Sequence, residues 1–337
     1  MKNRLLGTIE VSPIGTGCMG FSHGYGPVPE ESEAIEAIRS AHAFGCTFFD
    51  TAETYGREQF FPGHNEQLLG KAVLPFRQHV VLATKIHIST DEYRSDGDLR
   101  AIIRRHLEKS LKNLQTDYVD LYYLHRVNEE IPVEDIAEVM GGLIREGCIR
   151  GWGMSQVDVW TLKSAHAVTP VSAVQNLYNM LERDCEAELF PYCLQEGIGV
   201  VPFSPIASGF LSGNVTSQTR FEGDDVRRFV PQLSSENIQA NQPVLELLGR
   251  YAGEKHATRA QISLAWMLKK YANAVPIPGS KNRGRILENL GAWDVNLTDS
   301  EFAALEESLN GIAVHGHRGM VETEQHSFSR NWQKEAQ

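Results

Sequence analysis

Apolar residues recur along this chain in two alternating rhythms. Short runs rich in β-branched and aromatic residues stand at 47–49, 80–83, 118–124, 149–154, 171–174, 198–201 and 274–277, with a further candidate at 14–17. Each reads as a strand. Between them the period lengthens to that of a helix. Leu99, Ile102, Ile103, Leu107, Leu111 and Leu114 form one stripe, and Arg100, Arg104, Glu108 and Lys112 face away from it. Val133, Ile136, Ala137, Met140, Leu143 and Ile144 repeat the pattern. Gly45, Gly147 and Gly197 each close a helical stretch just before a strand, where a left-handed cap turns the chain back.

Eight strands with a crossover helix after each describe an α/β protein, specifically a (β/α)8 TIM barrel. The same alternation fits a doubly wound open sheet. No shift in composition divides the 337 residues, so 1–337 is expected to be a single domain. Two stretches lack periodicity. Residues 209–241, after the seventh strand, are expected to be a long loop over the functional site, and 310–337 a polar C-terminal tail.

Composition narrows the class. Apolar residues make up 42% and charged residues 22%, which is ordinary for a globular protein. The net charge of −11 disfavours nucleic acid and anionic membrane surfaces as partners. No run reaches the length of a membrane helix, and Glu10 interrupts the apolar part of the N-terminal segment, so no signal peptide is expected there. Five cysteines without CxxC spacing read as free thiols in a reducing cytoplasm. His315 and His317 lie in the polar tail and read as solvated, so no metal site is assigned.

In an α/β barrel the chemistry sits at the carboxyl ends of the strands. Asp50 follows the 47–49 run, Lys85 the run that begins at Val80, and His125 the run that ends at Leu124. Tyr55 stands five residues beyond Asp50. Burying an acid, an amine and an imidazole on one rim is costly unless they pair. An ammonium beside a phenol lowers the phenol's pKa by roughly 1–3 units, toward the range of a general acid at neutral pH. Tyr55 would then protonate an oxygen that His125 helps to hold. Such a set needs a partner that delivers electrons to carbon.

These residues carry a resemblance. Asp50-Thr51-Ala52-Glu53-Thr54-Tyr55-Gly56, Ala83-Thr84-Lys85 and Asp120-Leu121-Tyr122-Tyr123-Leu124-His125-Arg126 resemble the aldo-keto reductase superfamily, in its bacterial-type NADP-dependent form. So do Gly-Trp-Gly-Met-Ser at 151–155, Pro-Phe-Ser-Pro at 202–205 and Val-Pro-Ile-Pro-Gly-Ser at 275–280. The likeness runs from about Val11 to Thr298. It implies the barrel, a catalytic tetrad of Asp50, Tyr55, Lys85 and His125, and reduction of a small aldehyde or ketone.

The resemblance also implies a cofactor site. Lys281, Arg283 and Arg285 cluster just past the last strand, where barrels tend to bind phosphate. Ser280 and Arg285 would clasp a 2′-phosphate beside Lys281, with Glu288 and Asn289 near the adenine, which favours NADP(H) over NAD(H). Ser155, Gln156 and Gln175 would bond the nicotinamide amide, and Phe203 would stack on its ring. Ser204, Ile206 and Ser208 would follow the pyrophosphate, with Met19 also at the cofactor. His23, Tyr25 and Arg126 are assigned to the substrate pocket. Gln156 stands where the family mostly has Asn, Phe203 where it mostly has Tyr, and Gly279 where many members have Lys.

Gly15-Thr16-Gly17-Cys18-Met19-Gly20 matches a dinucleotide-binding fingerprint, but the residues that follow read as loop, with no helix until about Glu30. The 57–64 segment carries Phe60 and Phe61, either as a pocket wall or as a cluster packed on the barrel. Two rival functions are compatible with the barrel. One makes Lys85 a Schiff-base nucleophile, and the other is a cofactor-sensing regulatory subunit.

Overall fold

In the structure, a computed structural model describing residues 2–319, there are nine strands and twelve α-helices, which alternate through the middle of the chain. The strands are β1 Arg4–Leu6, β2 Ile9–Val11, β3 Thr16–Gly17, β4 Phe48–Asp50, β5 Val81–Ile86, β6 Val119–Leu124, β7 Ile149–Ser155, β8 Ala173–Gln175 and β9 Gly199–Val200. The first six helices are α1 Glu31–Ala43, α2 His64–Val73, α3 Thr90–Asp96, α4 Leu99–Leu114, α5 Val133–Arg145 and α6 Val159–Val168. The remainder are α7 Leu189–Gln195, α8 Ser235–Ala240, α9 Gln242–Lys255, α10 Arg259–Lys270, α11 Arg283–Leu290 and α12 Asp299–Asn310.

Strands β3 to β9 pair in parallel and in sequence order. The expected eighth barrel strand, 274–277, closes the ring together with the two residues after it: Val200 pairs with Ala274 and Gly17 with Gly279. Val275 donates its amide to Val200, Ile277 to Pro202, and Gly15 donates to Pro276. With both edges of the sheet joined, the open doubly wound alternative is excluded. Pro276 and Pro278 limit the amides this stretch can offer, which explains why it bridges without forming a regular strand.

Barrel strands bury both faces, and their residues alternate between two cores. Phe48, Val81, Ala83, Leu121, Tyr123, Ala173, Val201, Val275 and Ile277 fill the interior. Phe49, Leu82, Ile86, Tyr122 and Leu124 pack outward beneath the helices. The bottom is plugged by the antiparallel pair β1 and β2, whose Leu6, Ile9 and Val11 join the interior cluster. That hairpin was not expected from the sequence, because three-residue strands are too short to show a period.

The glycine fingerprint resolves as barrel packing. A 3-10 turn, Met19–Phe21, follows Gly17, and α1 begins only at Glu31. A side chain at Gly15 would sit 2.5 Å from the Phe48 ring of β4 and 3.0 Å from Ile277, so this glycine lets the start of the barrel approach its neighbours on both sides. Gly45, Gly147 and Gly197 all take positive φ, as expected for helix termini.

Residues 209–241 depart from the expected plain loop. Short 3-10 turns form at Val226–Phe229 and Pro231–Leu233, and α8 occupies its far end. Six residues of helix are too few to show an apolar stripe. Of the 310–337 tail, residues up to 319 are fastened to this segment: Asn241 accepts from the His315 amide and donates to its carbonyl, and Gln232 donates to the His317 carbonyl. Residues 320–337 lie outside the described residues. Among the described residues, no helix is long and apolar enough to cross a membrane.

Candidate active site

Strand parity delivers the site. Asp50 continues the inward register of Phe48, Lys85 that of Val81 and Ala83, and His125 that of Leu121 and Tyr123. Adjacent strands hold these three positions side by side, since Asp50 pairs with Ala83 and Lys85 with Tyr123. Thr84, one residue out of phase, points outward and donates to the buried Glu66.

The Lys85 side chain is fully buried, and all three of its hydrogen bonds converge on the rim. Its Nζ lies 2.5 Å from Asp50 Oδ1, 2.7 Å from the Thr51 carbonyl and 3.3 Å from the Tyr55 hydroxyl. The second Asp50 oxygen accepts from Gln175 Nε2 at 2.8 Å, so both carboxylate oxygens are engaged. Burial lowers the pKa of the Lys85 ammonium, but Asp50 and Tyr55 outweigh it and hold the amine above its ordinary value.

Tyr55 corrects one expectation. The phenol's pKa is raised, because burial and the Asp50 charge outweigh the lowering by Lys85 and Arg126. It therefore keeps its proton at neutral pH, as a proton donor requires. His125 stands edge-on to Tyr55, with ring centroids 5.8 Å apart. Burial first, then Arg126 and Lys85, hold its pKa well below the usual imidazole range, so the ring is neutral with one N–H to donate.

A cavity of about 460 Å³ begins at Asp50, Tyr55 and His125 and runs across the barrel mouth to Ser280, Lys281, Arg285 and Asn289. Met19, Ser155, Gln156, Gln175, Phe203, Ser204, Ile206 and Ser208 line it, as do His23, Tyr25 and Arg126. Glu288 is not among the lining residues. Its carboxylate accepts from Thr258 and its carbonyl from Gln261, both on the α10 side. The three clustered cations also separate. Arg283 turns outward to Glu36 of α1, whereas Lys281 and Arg285 stay at the cavity. The Lys281 ammonium is tied to the carbonyls of Tyr25 and Pro27. Phe60 and Phe61 are exposed and pack against the His64 ring, away from the lining; from that segment only Glu58 lines the cavity.

The lining bears marks of a built binding groove. Six non-glycine residues among those described have positive φ. Gln115 and His256 cap helices, while Gln156, Ser204 and Ser208 line the cavity and Ala207 lies between the last two. Backbone strain of this kind concentrates where function holds it in place. Ser208 Oγ is buried without a hydrogen-bond partner among the described residues. At the far end Asn282 caps α11 and Arg285 lies in the first turn, an N-terminus suited to an anion. A long ligand, polar at one end and phosphorylated at the other, fits this lining.

Sequence reasoning overlooked several residues here. Thr51 donates to Asn65, which donates in turn to the Cys18 carbonyl and to Ser22, fixing the inner side of the 51–55 turn. Asp224 accepts from the Gly24 amide and the Val226 amide donates to Gly24, joining the long segment to the β3 loop across the groove. Val226, Arg227 and Arg318 also line the cavity. Charged positions in 209–241 were visible in the sequence, but nothing there marked which would face inward.

The Aldo/keto reductase family matches residues 13–310. A Glycine max protein named "Probable aldo-keto reductase 1" is 35% identical over 320 residues, covering 93% of this chain and 90% of the relative. An aldo/keto reductase from Klebsiella pneumoniae, solved with NADP and acetate, is 26% identical with a TM-score of 0.71, covering 95% of this chain and all of that one. The glycerol dehydrogenase of Gluconobacter oxydans, at 23% identity and a TM-score of 0.81, shares the fold over 92% of this chain and 95% of its own.

Proposed function

The chain belongs to the aldo/keto reductase family, and from that premise we propose that it reversibly reduces an aldehyde or ketone to an alcohol, using NADPH in preference to NADH and a proton from Tyr55. The observation that carries this reading is the placement of the Tyr55 hydroxyl, 3.3 Å from the Lys85 ammonium, at the mouth of a groove that leads to Arg285. The Klebsiella relative's NADP complex supports the choice of cofactor.

When bound, the nicotinamide supplies a hydride to the carbonyl carbon. The residues of this chain do the remainder. Ser155, Gln156 and Gln175 would bond the nicotinamide amide, with Phe203 against its face. Ser204, Ile206 and Ser208 would hold the pyrophosphate, the Ser208 hydroxyl, without a partner among the described residues, gaining an acceptor there. Ser280 and Arg285 would take the 2′-phosphate, with Lys281 beside them and Asn289 toward the adenine. Tyr55 and the neutral His125 ring donate to the carbonyl oxygen, and Tyr55 passes its proton to that oxygen as negative charge develops. Lys85, held charged by Asp50, stabilises the resulting phenolate. The 224–227 segment, bonded to Gly24 over the groove, would cover the cofactor.

The Schiff-base alternative needs a neutral amine, whereas Lys85 is held above its ordinary pKa. The deciding experiment measures NADPH oxidation across a panel of aldehydes, ketones and sugars, repeated with NADH. Turnover of at least one carbonyl, faster with NADPH, supports the reading. Tight NADPH binding with no turnover across the panel overturns it and favours a sensing role.

A further inference from the structure

Behind the Tyr55 turn lies a charged cluster that the reaction above does not use. Glu53 stands two residues before Tyr55. Its Oε1 accepts from the His87 amide at 2.8 Å, two residues beyond Lys85. Its Oε2 lies 2.7 Å from His106 Nδ1 on α4, and the other nitrogen of that ring lies 3.0 Å from Glu92 on α3. The Glu53 amide also donates to the Lys85 carbonyl at 3.4 Å. One carboxylate thus binds the turn that carries the phenol both to the strand end that carries the ammonium and to the helix behind it. The side chains of Glu53 and His106 are 12% and 19% exposed, well inside the range where an ion pair is more than a solvated surface contact. Arg105, also on α4, pairs with Glu92 and Asp96, so α3 is itself anchored.

We propose that Glu53 and His106 are positioning residues for Tyr55: their bonded pair fixes the 51–55 turn against β5 and so sets the separation of the Tyr55 hydroxyl from the Lys85 ammonium. The inference rests on the reading of Tyr55 as proton donor. Asn65 holds the inner side of the same turn, so without Glu53 the outer side alone would be loose. Small displacements of a donor matter, since a misplacement of about 1 Å can cost about a hundredfold in rate.

The clamp depends on charge. An imidazole with a carboxylate at each nitrogen satisfies both only when both nitrogens carry protons. The groups facing His106 are Glu53 from the turn and Glu92 from α3, the latter shared with Arg105; its charge also opposes a charge on His87, which Arg57 and Arg126 face in turn. The hydrogen bond to Glu53, acting against burial, pushes the His106 pKa up to about 9. Both bonds are therefore intact at neutral pH, and as pH rises through about 9 the ring keeps one N–H for two carboxylates, so the clamp loosens. Tyr55 is held above its own ordinary value, so its proton loss comes later on the pH axis.

The test measures kcat and KM against pH for the full chain and for His106→Gln, His106→Ala and Glu53→Ala, together with crystal structures of the wild type and the His106→Ala variant. The expected wild-type kcat shows an alkaline inflection near pH 9. His106→Gln keeps a neutral donor that does not titrate, so kcat at neutral pH stays within about threefold and that inflection disappears. The two alanine variants lose about tenfold or more in kcat, while KM for NADPH moves less than about twofold. The His106→Ala structure is expected to show a lengthened Tyr55–Lys85 separation. A His106→Gln profile that superimposes on the wild type, alanine variants with full kcat, or an unchanged Tyr55–Lys85 separation overturns the proposal. A wild type that reduces no carbonyl instead defeats the proton-donor reading, and the crystal structures still decide whether the pair positions Tyr55.

Discussion

The two ends of the cavity are built on opposite terms. At the Tyr55 end, Lys85 and Asp50 are essentially buried and every polar atom of the pair has a partner. At the α11 end, Ser280, Lys281 and Arg285 lie on a loop and first helical turn that are largely open to solvent. The difference follows from what each end must do. Proton transfer gains from a low dielectric and from groups fixed before the substrate arrives. A charged phosphate must be admitted and released, so its partners gain from staying hydrated and from a helix N-terminus that attracts without enclosing.

Because the two ends are built differently, substitutions at them should affect different quantities. The largest effect is expected from Tyr55→Phe, with kcat reduced about a thousandfold or more while NADPH still quenches Trp fluorescence at near wild-type affinity. Retained turnover would remove Tyr55 from the reaction. Next is Lys85→Met, which strands the Asp50 charge. It should lower kcat by about a hundredfold and cost about 3–5 kcal/mol in urea unfolding, much of which Asp50→Asn added to it restores. An unchanged denaturation midpoint would show that the buried pair is not holding the rim.

At the open end, Arg285→Ala should raise KM for NADPH about tenfold, leave kcat unaltered and leave NADH kinetics nearly untouched. Equal losses with both cofactors would break the assignment of Arg285 to a 2′-phosphate. The smallest effect is one of pH. Because the His125 pKa is depressed by burial, the unfolded chain takes up a proton below about pH 6.5 that the folded chain refuses. Stability should therefore fall on acidification by up to about 1.4 kcal/mol per pH unit from this group, and His125→Gln should remove that share. Parallel stability curves for the two proteins would contradict a buried neutral ring.

How legible each end was in the sequence also differs. Asp50, Lys85 and His125 could be read because each closes an apolar run, and strand parity then carries a sequence position into a direction in space. Tyr55 could be placed near them because five residues of loop reach only a short distance. The cations at 281–285 were legible as a cluster but not as individual roles. Whether Arg283 meets Glu36, or Lys281 the carbonyls of Tyr25 and Pro27, depends on segments about 250 positions away. Glu53 and His106 belong to the same class, since an acid in a turn and a histidine on a helix give no sign of each other until α4 packs behind β5.

The sequence by itself determined the order of the barrel strands, the residues that close each of them and the family to which they belong, because all of these are local patterns repeated along the chain. Tertiary structure alone decided the closure of the ring by 274–279, the N-terminal plug and the helix within 209–241. It also decided the net direction in which the phenol of Tyr55 is pushed. Burial opposes the neighbouring ammonium there, and burial is a property of everything that packs around a residue, which no spacing along the chain records.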